Sequence, residues 1–393
     1  MLVSKKVKFR TRQQVIRVFR DMILAAVILT PAIVVLPSKS AKADTPQSAT
    51  SEIVEDANTF LATLSEKQRS AVLYKFDDDQ QRVRWSNFPT GFVPRGGLSL
   101  EELSDTQQKA ALALVASTLS LKGFEKVEKI READDVFKAT PHQHPPFGYN
   151  KEGGPGHPPF GDAKNGLAGG GFKNGAPNHE MFGKNLYYIS ILGTPSEKDP
   201  WMLQFGGHHL ALNITMVGER GTLTPSLTGA QPGTYTANGK TVRPLGQEND
   251  KGFALLNALD DAQRKQAILN YRVADLVLGP GHDGQTIQPE GLKASAMDEK
   301  QRLMLLNLIS EWVGIANDNF AAARMAEIKA GLEDTWFAWS GPSAVEPGKN
   351  GTSYYRIQGP KLVIEYAPQP GEDHVHTIYR DPTDDYGRAL TSK

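Results

Sequence analysis

The stretch "SYYRIQGPKLVIEYAPQPGEDHVHTIYR", residues 353–380, decides how this chain folds. Three runs rich in aromatic and β-branched residues are separated by Gly359-Pro360 and by the Pro/Gly cluster at 368–371. Such runs read as strands, and such punctuation reads as short connections. Short connections join antiparallel neighbours, so the segment predicts a meander. "TWFAWSG" (335–341) supplies a further strand ahead of it. "NLYYISILG" (185–193), "WMLQFG" (201–206) and "HLALNITMVG" (209–218) carry the same signature and are bounded by Gly or Pro.

Helices flank these blocks. Four times an apolar residue precedes Ser or Asp, and Gln follows three residues later: "LSEKQ" (64–68), "LSDTQ" (103–107), "LDDAQ" (259–263) and "MDEKQ" (297–301). Each is a capping box with an apolar staple, which places helix starts at Ser65, Ser104, Asp260 and Asp298. The two pairs are similarly spaced, as a duplication would give; the reading preferred is four independent helices with good starts. The third is expected to run on through "AQRKQAILNYRVADLVLG" (262–279). The fourth carries a core face of Leu303, Leu306, Ile309 and Val313, and "NFAAARMAEIKAGL" (319–332) reads as another helix, ending near Gly331. Strands and helices occur in blocks without strict alternation. The expected fold is therefore α+β, a single large domain over 44–393 with a mainly antiparallel sheet and flanking helices.

The 393 residues contain 44 basic and 44 acidic side chains, so no net charge draws the chain to nucleic acid or to an anionic membrane. Residues 1–43 read as an export signal. Lys5, Lys6, Lys8, Arg10, Arg12, Arg17 and Arg20 precede the apolar run "MILAAVILTPAIVVL" (22–36), and Ala41-Lys42-Ala43 offers a small-x-small cleavage site. The run is short for a spanning helix and is interrupted by Pro31, which disfavours an uncleaved anchor. No Arg-Arg pair is present, which favours the general export route. The expected location is periplasmic or secreted, with no membrane span after cleavage. Cysteine is absent, so neither disulfides nor thiolate metal sites exist.

Residues 141–183 are rich in Gly, Pro and Asn and hold His142, His144, His157 and His179; they read as a long loop. "GPGHDG" (279–284) matches a dinucleotide fingerprint, but "QTIQPEG" follows where a helix is required. No nucleotide cofactor is expected.

The chemistry lies in the strands. Residues two apart on a strand share a face, so His374 and His376 point the same way. Glu365 occupies the preceding strand, and His208-His209 opens another. His208, His209, Glu365, His374 and His376 form a candidate ligand set for a divalent transition metal such as zinc, iron, manganese or copper. Arg380 and Arg356, with Asp381 and Asp385, are candidates for holding a small anionic ligand, since an Arg fork grips carboxylate or phosphate. The plainer readings are structural hydrogen bonds for the histidines and internal ion pairs for the arginines. Trp336, Trp339, Tyr354 and Tyr355 are candidates for lining a pocket; the plainer reading is core.

The chain resembles the bacterial family catalogued as Domain of Unknown Function 3500. The resemblance is carried by "RVRWSNFP", "RGGLSL", "LGTPSEKDPWMLQFGGHHLALN", "TPSLTGAQP", "RPLGQEND", "TWFAWSG", "YYRIQGPKLVIEYA" and "HVHTIYRDPTDDYG", in that order from about residue 50 to the end. It implies one family domain, often exported, and no reaction. The family's signature polar positions fall on His208, His209, Gly359, Pro360, Glu365, His374, His376, Arg380, Asp381, Asp385 and Gly387. The insertion at 141–183 is longer than the family pattern, and the tail "RALTSK" lacks the family's further His. The sequence thus points to an exported metal-dependent enzyme. The alternatives are a non-catalytic periplasmic binding protein for a metal or small anion, and an interaction protein whose signature is structural.

Overall fold

The computed structural model describes residues 48–140, 181–369 and 373–392. Residues 1–43, expected to be an export signal, and His142, His144, His157 and His179 lie outside the described residues.

The chain begins with α1 (Ala49–Thr63), α2 (Glu66–Val72), β1 (Leu73–Tyr74), α3 (Asp79–Arg82) and β2 (Leu98–Ser99). Helices α4 (Asp105–Ser117) and α5 (Leu121–Ala139) follow. Four strands come next: β3 (Tyr188–Leu192), β4 (Trp201–Gly207), β5 (Leu210–Val217) and β6 (Arg220–Ala230). A small hairpin, β7 (Tyr235–Ala237) and β8 (Lys240–Val242), leads to α6 (Gly246–Ala258), α7 (Asp261–Ala267) and β9 (Leu292–Lys293). The chain closes with α8 (Glu299–Val313), α9 (Asp318–Ala330), β10 (Trp336–Ser340), β11 (Tyr354–Gly359), β12 (Leu362–Pro368), β13 (Val375–Arg380) and α10 (Arg388–Thr391). The α+β reading holds.

All four capping boxes are formed, at Ser65, Ser104, Asp260 and Asp298. They are not independent. The Gln68 and Gln107 amides bond each other at 3.2 and 3.0 Å, and Gln107 also donates to the Thr63 carbonyl at 2.9 Å. Gln263 and Gln301 repeat this at 3.0 and 2.8 Å, with Gln301 donating to the Ala258 carbonyl at 2.8 Å. Each box therefore satisfies a helix start and also ties two helices together.

The sheet extends this equivalence. Its strand order is β1-β3-β4-β5-β6-β13-β12-β11-β10-β9, with β2 also paired to β3. Each half contributes a four-stranded meander, and the halves meet at the antiparallel β6–β13 pair, where the Thr228 and Thr377 hydroxyls lie 2.7 Å apart. The starts of α5 and α9 also meet reciprocally: Ser120 N donates to Ile315 O at 3.0 Å, and Asn317 N donates to Thr118 O at 2.9 Å. In element order and in these reciprocal contacts the two halves form a topological repeat.

β6 is the strand that the sequence conceals. Pro225, Gly221 and Gly229 interrupt its pattern, and proline is excluded from the regular part of a central strand. It is tolerated because the register slips there: Leu212 pairs Ser226 while Ile214 pairs Leu223. Asn213 fills the gap, its amide donating to the Pro225 carbonyl at 2.8 Å.

One sheet face packs under the helices, with Phe60, Leu114, Leu203 and Ile214 in the first half and Leu308, Trp312, Trp339 and Tyr355 in the second. Trp339, Tyr355 and Tyr366 stack in sequence at 5.7 and 5.0 Å, so these aromatics are core. The buried stripe of α8 is Leu305, Leu308, Ile309 and Trp312. Leu303, expected inside, is exposed, because it falls off the face that Leu305, Leu308, Ile309 and Trp312 bury. The opposite sheet face carries Met202, Ala211, Leu227 and Ile378 beneath Trp85 and Leu276. Leu276 belongs to the segment expected to continue the third helix. α7 instead ends at Ala267, and Leu269 N bonds the Trp339 carbonyl, so the chain leaves along the sheet as a loop.

Candidate metal centre

Strands β4 and β5 are joined by a two-residue turn, His208-His209, between the paired Gly207 and Leu210. His209 has φ +58°, a left-handed conformation that glycine or asparagine normally supplies. A β-carbon at Gly207 would lie 2.5 Å from the Leu186 carbonyl oxygen. The turn places the two imidazoles in different surroundings. His208 meets α5; His209 meets β13.

His209 Nε2 lies 2.8 Å from His374 Nε2 and 3.3 Å from His376 Nε2. The rings of His374 and His376 are nearly perpendicular, with centroids 4.5 Å apart. A tetrahedral ion with metal–nitrogen bonds near 2.0–2.1 Å needs its ligand nitrogens about 3.3 Å apart. The trio fits that spacing after small adjustments. Gly229 makes room for it: a β-carbon there would sit 3.2 Å from His209 Cβ and Cδ2.

Carboxylates fix two of the rings. Asp275 Oδ1 lies 3.0 Å from His376 Nδ1. A carboxylate accepts, so Nδ1 carries the proton and Nε2 presents its lone pair. The Asn87 amide nitrogen is 3.2 Å from that Nε2. Asp134 Oδ1 lies 2.5 Å from His208 Nδ1, and its Oδ2 is 3.1 Å from the Tyr187 hydroxyl. The rings of His208 and His209 lie 3.6 Å apart at a tilt of 31°, with Phe182 edge-on to His208 at 5.0 Å.

Burial holds His209 and His374 well below the usual histidine range, and neighbouring imidazoles push in the same direction. Both are therefore neutral, the form that ligates metal. Burial raises the Asp134 carboxyl, although His208 opposes the shift. Asp275, whose side chain stays 51% exposed, is pushed up by partial desolvation, but the hydrogen bond and charge of His376 outweigh this and leave the carboxyl below its ordinary value.

The structure brings together His208, His209, His374 and His376 but gives Glu365 a different task. Its Oε1 accepts from Val277 N at 2.8 Å and from the Tyr354 hydroxyl at 2.6 Å, and its Oε2 accepts from Leu278 N at 2.8 Å. Arg380 holds the same loop from β13, donating to the Leu278 carbonyl at 2.7 Å and the Gly279 carbonyl at 3.0 Å. Both residues thereby fix the backbone that carries Asp275 to His376.

The residues expected to hold an anion are paired internally. Arg380 also bridges Asp283 at 3.2 Å and Asp385 at 2.8 Å; Asp385 accepts from Asp381 N at 3.1 Å. Arg324 pairs with Asp381 at 2.5 Å, and Arg356 pairs with Glu290 at 2.8 Å. "GPGHDG" forms turns, and through Asp283 it contributes to this network.

Sequence reasoning missed Asp134, Asp275 and Asn87. Asp134 had a usable signal: it lies in the apolar stripe Val127, Ile130, Phe137 of α5. Asp275 and Asn87 sit in loops, where spacing carries no orientation.

Fold and site together define a helix-flanked, internally repeated antiparallel-sheet protein with a buried histidine centre between its halves. The chain belongs to a family described as proteins of unknown function, DUF3500, which it matches over residues 46–388. Comparison with curated proteins and with solved structures gave no match.

Proposed function

We propose that this is an exported metal-dependent enzyme in which His209, His374 and His376 hold one divalent transition-metal ion. The observation that carries the reading is the convergence of three buried Nε2 atoms at 2.8 and 3.3 Å, with Asp275 behind His376. Three histidines leave a fourth position for water or substrate, where the ion acts as a Lewis acid or activates the bound molecule. Zinc, iron, manganese and copper all accept imidazole ligands. The basic and apolar stretch before Ala43 supports export. Among the described residues, no helix is long and apolar enough to cross a membrane.

A second reading, a non-catalytic metal-binding protein, draws on burial: His209, His374 and His376 are 1%, 7% and 5% exposed.

The test is elemental analysis of protein recovered from the export compartment without a polyhistidine tag, beside a His374→Ala/His376→Ala variant. Loss of bound ion in the variant supports the centre; equal metal content in both sinks it. Cobalt(II) substitution then separates the two readings. An open position gives a visible spectrum that shifts when azide is added, and a closed shell does not respond. Mass analysis of the recovered chain checks export, with Asp44 as the expected first residue.

A further inference from the structure

We infer that a second cation position lies beside the first, at His208 Nε2 and His209 Nδ1, with Asp134 behind the His208 ring. Ligand atoms of these three buried residues lie within 4.8 Å of one another. The position shares His209 with the three-histidine centre, so this inference deepens the function proposed above.

Three observations support it. His208 Nε2 and His209 Nδ1 are both buried and have no hydrogen-bond partner among the described residues. A buried polar atom without a partner is costly, and native structures rarely keep two together. No protonation state of His208 removes the problem. With Nδ1–H donated to Asp134, the Nε2 lone pair is bare; with Nε2 protonated, alone or together with Nδ1, its N–H has no acceptor. A cation at Nε2 satisfies the first arrangement.

The second observation is charge. Asp134 is 2% exposed, and it bonds the His208 ring and the Tyr187 hydroxyl. Arg131, one turn earlier on α5, lies over the Tyr187 ring at 5.7 Å and spends its hydrogen bonds on Glu128 and the Lys184 carbonyl, not on Asp134. A buried carboxylate needs a compensating positive charge, and a bound cation supplies it.

The third is the position of His209. Its Nε2 faces His374 and His376, so Nδ1 is the ring nitrogen left for a neighbouring ion. Its left-handed backbone holds the ring between the two groups. Asp134 then acts on His208 as Asp275 acts on His376, a carboxylate behind an imidazole ligand.

Metal stoichiometry tests the inference, measured by elemental analysis and by cobalt(II) titration followed by visible absorption. The proteins compared are wild type, Asp134→Asn, His208→Ala and His374→Ala/His376→Ala. Asp134→Asn keeps an acceptor for Tyr187 and guards against a simple folding failure, with near-ultraviolet circular dichroism as the check. Two ions in wild type, falling to one in Asp134→Asn and in His208→Ala, establish the second position. A single ion lost on His374/His376 substitution and indifferent to Asp134 and His208 overturns it, yet leaves the three-histidine centre standing. A single ion lost only on Asp134 or His208 substitution upholds the second position and removes the first. No ion in any form, after reloading, overturns both.

Discussion

His374 and His209 approach to 2.8 Å between Nε2 atoms although 165 residues separate them. One lies immediately before β13, the strand that joins the second half to the first, and the other in a hairpin turn of the first. Their meeting depends on the docking of the two halves, and the loop bearing Asp275 completes the arrangement. Asp275→Ala is expected to weaken metal binding about 10–100-fold, the usual effect of removing a carboxylate behind a ligating imidazole. Asp275 is exposed, so the fold should tolerate the change. Competition with a chelating dye measures it; unchanged affinity would show that Asp275 does not orient His376.

Gly229 is the small residue that lets His209 turn inward. It pairs His376 across β6–β13, and its N–H donates to the His209 carbonyl at 2.7 Å. An added β-carbon would lie 2.7 Å from the Val375 carbonyl and 3.2 Å from the His209 side chain. Gly229→Ala should therefore destabilise the fold by about 1–3 kcal/mol, as overpacking does, and weaken metal binding as well. Urea unfolding with parallel metal titration checks both. A stable variant with full affinity would mean that the strand pair yields without moving His209.

Much of this was legible in the sequence because it is local. A Ser or Asp three residues before Gln caps a helix through neighbouring atoms, so the four helix starts could be read directly. His374 and His376 share a face for the same reason, since strand pleat is local. The tertiary features were not legible. Pro225 argues against a central strand until the slipped register opposite Asn213 is seen. Glu365 sits on the histidine face but is drawn to the backbone of Val277 and Leu278. Pairing of the capping boxes through Gln68–Gln107 and Gln263–Gln301 was hidden, because only the folded chain brings the helices together.

The Gln pairs make the internal repeat testable. Gln107→Ala and Gln301→Ala each remove a box, a cross-helix amide bond and a carbonyl partner. Each is expected to cost about 1–2 kcal/mol, and by similar amounts. Chemical denaturation of the two variants checks this. A cost in one half only would mean that the equivalence is geometric without being energetic.

Arg380 separates a structural role from a ligand-binding one. Its guanidinium bridges Asp283 and Asp385 and caps two loop carbonyls, all in a buried setting. Arg380→Met strands those carboxylates and should destabilise the protein by about 3–5 kcal/mol, the penalty for breaking a buried pair from one side. Metal stoichiometry at low temperature should persist, since no histidine is removed. Full stability combined with loss of anion binding would instead restore the ligand-gripping role.

Acid sensitivity should come from the histidines. In the metal-free fold His209 and His374 stay neutral well below the ordinary histidine range, because burial and neighbouring imidazoles oppose their charge. In the unfolded chain they titrate near 6.5. As pH falls through that value the unfolded state binds more protons, so stability is present above about 6.5 and is lost on acidification toward the folded values. Burial works the other way on Glu365 and on Asp385, whose carboxyl is pushed up to about 6; these hold extra protons in the fold at low pH. The wild-type curve alone therefore mixes two signs. Comparison with His374→Ala removes one histidine while the carboxylates remain. Between pH 7.5 and 5.5 the wild type should lose about 1.4 kcal/mol more than the variant, the linkage expected of one such group. Urea unfolding of both metal-free proteins at the two pH values measures the difference. Parallel losses would mean that His374 accepts a proton in the fold as readily as in the open chain.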